Sequence, residues 1–174
     1  MQIVAAAPLP PADPDLKLPP IHLRIHPVTE PGAIHFLRIF GPECAEVLAA
    51  HCHAIIAALY PLVEPLSDPS FPTIHNIAIY VRPMDGVAFT RSGILDELAK
   101  EVHCSAQYFG RSSFEEISGV LIHELVHVWQ RDGMGSAPGG FIEGLADYVR
   151  WKAGLGAAHW KKSRPEKNQT WDAG

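Results

Sequence analysis

The chain has 174 residues and 47% of them are hydrophobic, a size and composition that suit one domain with an ordinary core. Its formal net charge of -5 provides no basic surface for a phosphate backbone, so we expect no nucleic-acid partner. No apolar run approaches the roughly 20 residues that cross a bilayer, so we expect no membrane segment.

Residues 1–20 form a proline-rich segment, MQIVAAAPLPPADPDLKLPP, which predicts a flexible, partly polyproline N-terminal tail. The segment lacks the positively charged start of a secretory signal, and prolines interrupt its apolar run. From the residues alone we therefore expect an intracellular protein, with one folded domain over residues 21–174.

Strands are predicted where apolar and polar residues alternate. The stretches 21–28 and 74–82 show this alternation, and residues 83–90 read as a turn that leads into a short strand. Between them, residues 41–61 have apolar side chains at helical spacing and prolines near both ends, which predicts a long amphipathic helix.

Two further helices are predicted in the C-terminal half. Ser113 is followed three residues later by Glu116, a capping-box pattern, so a helix should begin near residue 114 and include LIHELVHVWQ. The stretch FIEGLADYVRWKAG is apolar at helical spacing and ends with Lys152 and Gly154, as helices often do. With no internal repeat, these elements predict one α+β domain with a small sheet.

The three cysteines, Cys44, Cys52 and Cys104, are an odd number, which does not suit a closed disulfide framework. On one helix, Cys44 and Cys52 would lie about 12 Å apart along the axis, beyond the roughly 7 Å that a disulfide allows between Cα atoms. We therefore expect free, buried thiols.

Residues 123–127, HELVH, carry the H-E-x-x-H pattern on a predicted helix. His123 and His127 lie four residues apart on one helix face, so both imidazoles can reach one ion, and Glu124 lies beside them. Neutral imidazoles leave Zn²⁺ with most of its charge, which lowers the pKa of a bound water toward about 7. The pattern predicts a zinc site in which Glu124 is the general base that takes a proton from the bound water.

A catalytic zinc ion commonly has a third protein ligand and one open position. Glu143 and Asp147 share one face of the following helix, and we assign Glu143 as the third ligand and Asp147 as the carboxylate that holds a histidine N–H. Asp147 and His159 stay open as alternative third ligands. The longer pattern H-E-x-x-H-x-x-G-x-x-H does not apply, because Gln130 and Gly133 occupy its glycine and third-histidine positions.

The sequence gives weaker indications of function for several other polar and aromatic residues. Trp129 is expected in the core, and Gln130 is a candidate for the wall of a cleft. Tyr108 and His159 are weak candidates for an oxyanion donor. The histidines of the predicted strands are too far apart in sequence to share an ion with an obvious partner, and we expect them to be solvated or hydrogen-bonded: His22, His26 and His75.

Several stretches, in this order, resemble the plant and bacterial basic secretory protein family, a group described as zinc peptidases. They are GVLIHELVHVWQ, APGGFIEGLADYVRWKAGL, HW at 159–160 and WDAG at the end, with weaker support from PGAIHFLRIFGP, DGVAFT and EVHCSAQYFG. The resemblance implies a zincin-like fold in which His123 and His127 are ligands and Glu124 is the catalytic base. Glu143 with Asp147 is similar to the pattern of zincins that use a glutamate ligand.

The chain departs from that family in two respects. It is mildly acidic and has no visible leader, whereas the family name implies a basic, secreted protein, so localisation stays open between the cell interior and secretion. It also ends at WDAG, where family members continue, which suggests that the domain 21–174 is truncated at its C-terminus.

These patterns lead to one principal hypothesis, a zincin-like, zinc-dependent metallopeptidase that hydrolyses peptide or protein substrates. We expect the strand at 74–82 to present a free edge with which an extended peptide could pair. One alternative is a non-catalytic binding or defence-type module with a structural or vestigial zinc site, and another is a metal-dependent hydrolase of non-peptide bonds. Cleavage specificity and oligomeric state stay open.

Overall fold

The computed structural model describes residues 16–61, 71–157 and 160 of the chain. Four strands form one sheet: β1 (Ile21–Ile25), β2 (Asn76–Arg82), β3 (Ala88–Ser92) and β4 (Ala99–Ser105). Helices pack on this sheet and on one another: α1 (Pro31–Phe40), α2 (Cys44–Leu59), α3 (Ala106–Phe109), α4 (Phe114–Trp129) and α5 (Gly139–Lys152). The predicted α+β class agrees with this architecture.

The sheet is mixed, with the strand order β1-β2-β4-β3. β1, β2 and β4 are parallel, and β3 joins β4 as an antiparallel strand. Ile79 of β2 lies between Leu23 of β1 and Val102 of β4, so β2 is hydrogen-bonded on both sides. The prediction that residues 74–82 present a free edge is therefore wrong, and within the described sheet the edges belong to β1 and β3.

Three of these elements, α1, α3 and β4, were not predicted from the sequence. α1 is a separate helix, which Gly41 ends with a φ of 58° before a 3-10 turn over Gly41–Glu43 leads into α2. β4 was missed because its last four residues, from Val102 to Ser105, are all buried, so the strand shows no alternation in its C-terminal half.

The run Pro31–Leu59, which contains α1 and α2, is long and apolar enough to cross a membrane by length and composition alone. The run is two helices rather than one, since Gly41 interrupts it. Phe36, Leu48 and Ile55 from this run are buried in the same core as the sheet. Packing within the domain therefore accounts for the apolar character of these side chains.

Contact with the core begins before β1. Leu16 is buried, and the carbonyl of Pro20 accepts a hydrogen bond from the N–H of Ile77 at 2.9 Å. Residues 1–15 of the predicted tail lie outside the described residues.

The three cysteines are free and buried, as predicted. Burial raises the pKa of Cys52 to about 12, so its thiol stays protonated at neutral pH.

α4 begins where the capping pattern predicts, because the hydroxyl of Ser113 accepts the N–H of Glu116 at 3.3 Å. The reciprocal half of the capping box is not formed, since the Glu116 carboxylate accepts hydrogen bonds from Tyr108 and Arg150 instead. Leu121 and Leu125 on one face of α4 are fully buried. This packing fixes the rotation of the helix and directs the histidines of its other face toward α5.

Candidate functional site

α4 and α5 pack against each other and bring the predicted site residues into one cluster. The Nε2 atoms of His123 and His127 lie 3.2 Å apart. Glu143, on α5, faces both histidines. Its Oε2 lies 3.1 Å from Nε2 of His123, and its Oε1 lies 3.6 Å from Nε2 of His127. One donor atom from each of the three residues fits within a span of 4.8 Å, so the group could hold a single metal ion.

The imidazoles of this cluster are oriented through their Nδ1 atoms. Nδ1 of His123 lies 2.8 Å from a carboxylate oxygen of Asp147, and a hydrogen bond donated by Nδ1 to that carboxylate would leave the lone pair of Nε2 for a metal ion. The side-chain amide nitrogen of Gln130 lies 3.0 Å from Nδ1 of His127. Asp147 thus lies where a carboxylate that orients a metal-binding histidine would lie.

The donor set suits a divalent ion such as zinc, which accepts imidazole nitrogen and carboxylate oxygen. Burial and the nearby His123 lower the pKa of His127 below its ordinary value. A lowered pKa favours the neutral imidazole, and only the neutral form can bind a metal ion through Nε2.

Glu124 lies next to this cluster and is only 6% exposed. Its Oε2 accepts a hydrogen bond from the hydroxyl of Thr90, on β3, at 2.7 Å. Burial raises the pKa of the Glu124 carboxyl, while the Thr90 hydrogen bond and the charge of His123 oppose that rise. A buried carboxylate with a raised pKa beside a group of metal donors is suited to take up a proton from a reacting water.

A cleft of about 650 Å³ lies over the cluster. Residues 87–90, in β3 and just before it, form one wall, and side chains of α4 and α5 form the other. Gln130 lines the cleft, whereas Trp129 is buried in the core, as the sequence predicts for both residues.

The far end of the cleft contains a buried polar network that the sequence does not reveal. Arg150 is only 6% exposed and lies 5.1 Å from the centre of the Trp160 ring. It donates hydrogen bonds to the Glu116 carboxylate at 2.8 Å and to the carbonyl oxygen of Leu155 at 2.8 Å. Tyr108 donates its hydroxyl to Glu116 at 2.8 Å. Tyr108 therefore lines the cleft with its hydroxyl hydrogen already donated, whereas His159, the other weak oxyanion candidate, lies outside the described residues.

The histidines of the strands lie away from the cluster. His22 and His26 are exposed on β1 and just beyond it. His75, just before β2, pairs with Asp96 at 2.8 Å. These positions agree with the expectation of solvated or hydrogen-bonded side chains.

Thr90 is the contact with Glu124 that sequence reasoning missed. The stretch DGVAFT was read as a turn and a short strand, but no local pattern indicates which strand runs beside the histidine helix. The pairing of β3 with β4 and its contact with α4 supply that information.

The comparisons with known proteins agree with the resemblance seen in the motifs. A family model described as "Peptidase of plants and bacteria" matches residues 19–174, which include every residue of the cluster. Neither the curated proteins nor the solved structures gave a match. Because the family model covers most of the chain, the protein belongs to this family of peptidases of plants and bacteria, the basic secretory protein family that its motifs resemble.

Proposed function

We propose that the protein is a zinc-dependent metallopeptidase in which His123, His127 and Glu143 hold the ion and Glu124 is the general base. The observation that carries this proposal is the convergence of three metal donors within 4.8 Å beside a buried carboxylate. The family description supports the coarser statement that the reaction is a hydrolysis of peptide bonds.

The number of donors supports a catalytic rather than a structural site. Among the described residues the cluster offers three donor side chains, and catalytic zinc sites keep a position open where structural sites are closed by four protein ligands. When bound there, zinc would supply Lewis acidity to a water molecule and to the carbonyl of the substrate.

The remaining catalytic and orienting roles belong to side chains of the protein. Glu124 takes the proton of the attacking water and passes it to the leaving amine, and its raised pKa brings its basicity closer to that required at neutral pH. Asp147 keeps Nε2 of His123 directed at the ion. Gln130 also contacts His127 at Nδ1, but through its amide nitrogen, a donor that cannot accept an Nδ1 proton as the Asp147 carboxylate can.

β3 is the strand that we propose for substrate binding, in place of the strand at 74–82. Within the described sheet it is hydrogen-bonded only to β4, and it lines the cleft beside Glu124. An extended peptide could add to this edge by backbone hydrogen bonds, which hold substrates of varied sequence. A zincin-like arrangement, with one domain over residues 21–174, is part of the same proposal.

The first test is metal content by mass spectrometry, on protein purified without a histidine tag. About one zinc per chain is expected in the wild type, and His127→Ala should lose it because two donors remain. Wild-type protein that takes up no zinc when it is added would contradict the metal site.

The second test is hydrolysis of a mixed peptide library by the zinc-loaded wild type and by Glu124→Gln. The amide cannot accept the proton, so turnover should fall by about 10²- to 10⁴-fold while zinc content stays at the wild-type level. Zinc uptake without any hydrolysis by the wild type would favour a non-catalytic module. Turnover of esters but not of peptides would favour a hydrolase of non-peptide bonds.

A further inference from the structure

Thr90 and Glu124 connect the edge strand to the histidine helix. Thr90 lies in the middle of β3, opposite Val102 of β4, and its side chain points to the same face of the sheet as α4. Its Oγ1 lies 2.7 Å from Oε2 of Glu124 and 3.0 Å from the main-chain carbonyl oxygen of the same residue. The hydroxyl therefore meets both the helix backbone and the end of the side chain.

The carboxylate is the stronger acceptor of the single hydroxyl hydrogen. The distance to Oε2 is the shorter of the two, and hydrogen bonds to an ionised acceptor are about twice as strong as those between neutral groups. Threonine is branched at Cβ and has few χ1 rotamers, so the strand holds this hydroxyl firmly. Oε2 of Glu124 is thus fixed by a rigid donor.

The other carboxylate oxygen of Glu124 has different surroundings. Among the described residues, no hydrogen-bond partner is found for Oε1, and Glu124 lines the cleft. A glutamate has three rotatable side-chain bonds, and fixing one oxygen limits the positions that the other can take. The geometry leaves Oε1 as the oxygen available to a water molecule in the cleft.

We infer that Thr90 is a positioning residue that fixes Oε2 of Glu124 and so directs Oε1 at the attacking water. This inference rests on the proposed peptidase function and deepens it. A general base must lie within hydrogen-bond reach of the proton that it takes, so loss of the hydroxyl should slow the chemical step more than it weakens substrate binding.

Thr90→Val removes the hydroxyl and keeps the shape of the side chain. We expect kcat to fall on the order of 10- to 100-fold with KM within about twofold of wild type. Zinc affinity, measured by competition with a chromogenic chelator, should stay unchanged because Thr90 contacts none of the proposed ligands. Thr90→Ser restores the hydroxyl and should recover most of kcat.

Ser92→Ala is the matched control, since it deletes a hydroxyl two residues along β3 that accepts a hydrogen bond from Lys100 rather than donating to Glu124. Its kcat should equal that of the wild type. A similar loss of kcat in Ser92→Ala and Thr90→Val would assign the effect to β3 in general and overturn the inference. A raised KM with unchanged kcat in Thr90→Val would also overturn it, because Thr90 would then act in substrate binding.

The contact itself can be measured without activity. Urea unfolding of metal-free wild type, Thr90→Val, Glu124→Ala and the double variant forms a double-mutant cycle. Non-additive effects on the free energy of unfolding are expected if the hydroxyl bonds the carboxylate in solution. Additive effects would overturn the inference whatever the activity data show.

The two proposals fail in different ways. If the zinc-loaded wild type and Glu124→Gln hydrolyse peptides equally, the role of Glu124 is wrong, and the inference about Thr90 falls with it. If Glu124→Gln is inactive and Thr90→Val retains wild-type kcat, only the role of Thr90 is wrong.

Discussion

Asp147 is the residue whose contribution to the cluster is most open to measurement, because it touches His123 and none of the other proposed ligands. Its carboxylate oxygen lies 2.8 Å from Nδ1 of His123, although its side chain is 46% exposed. Partial exposure weakens the charge interaction through solvent, but the hydrogen bond still fixes the orientation of the imidazole ring.

We expect Asp147→Ala to lower zinc affinity by about 10- to 100-fold, because the imidazole loses its orientation and some basicity. Competition with a chromogenic chelator measures this change. Asp147→Asn should lose less, since an amide oxygen can still accept the Nδ1 proton. Tyr148→Phe, at the next and exposed position of α5, is the control and should bind zinc like the wild type. Undiminished affinity in Asp147→Ala would rule out the orienting role.

For individual site residues, the sequence predicted positions correctly where two side chains are spaced along one helix. His123 with His127, and Glu143 with Asp147, are pairs at i and i+4, and each pair does share a helix face in the structure. Thr90 could not be found in this way. Its role depends on a strand that is 34 residues away in sequence from Glu124.

The pairing of α4 with α5 is the element-scale feature that assembles the cluster. Gly119 allows the two helices to approach closely, because a Cβ at this position would lie 2.6 Å from Nε of Arg150 and 2.7 Å from the carbonyl oxygen of Leu155. The Arg150 side chain crosses α4 at that point to reach Glu116. The site residues of α5 are therefore held in place by contacts about one to two turns away, toward the start of α4 and the end of α5.

Gly119→Ala should lower the free energy of unfolding by about 1–3 kcal/mol, because the added methyl displaces a buried arginine or a backbone carbonyl. Urea unfolding with a metal chelator present measures this without a contribution from bound zinc. Gly144→Ala is the matched control, since beyond its chain neighbours and its own helix backbone no described atom lies within 4 Å of the added Cβ. Gly144→Ala should be neutral or stabilising by up to about 1 kcal/mol. Equal behaviour of the two variants would contradict the close approach.

Elements were predictable where one face met water and the other met the core. β1 shows such a pattern, and its observed bounds lie close to those expected. α4 is buried or half-buried from residue 116 onward, and its start was predicted from its capping residue instead. β4 breaks the pattern because consecutive residues are buried, and the order of the strands cannot be read from any local pattern. Residues 74–82 were wrongly assigned a free edge because the order of the strands was unknown, and an edge is a property of the assembled sheet.

For the molecule as a whole, His51 introduces a dependence of stability on acid. It lies on α2, burial lowers its pKa to about 4, and its Nε2 is buried with no hydrogen-bond partner in the described part of the chain. An unfolded histidine has a pKa of about 6.5. Between these two values the unfolded chain binds a proton that the folded protein does not, so folding becomes less favourable as the pH falls.

The full effect of this single group is at most about 3 kcal/mol, reached near pH 4. His51→Leu should therefore lose less stability than the wild type between pH 7 and pH 4.5. Urea unfolding at several pH values, each referred to pH 8, separates this titration from any change in packing. Parallel pH profiles for the two proteins would show that His51 does not remain neutral in the fold.

α4 packs in the core and also lines the cleft, so substitutions along this helix should affect two different properties. Substitution of every position of Phe114–Trp129 in turn should give two profiles, one for protein abundance and one for turnover. Abundance should fall at many positions, because eleven of the sixteen residues of α4 are buried, whereas turnover should fall further at the few positions of the cluster. The abundance profile should have its minima at Ile117, Leu121 and Leu125, where side chains are fully buried. Turnover per folded molecule should have its minima at His123, Glu124 and His127, so the two measurements together separate the positions of the cluster from those that only pack in the core.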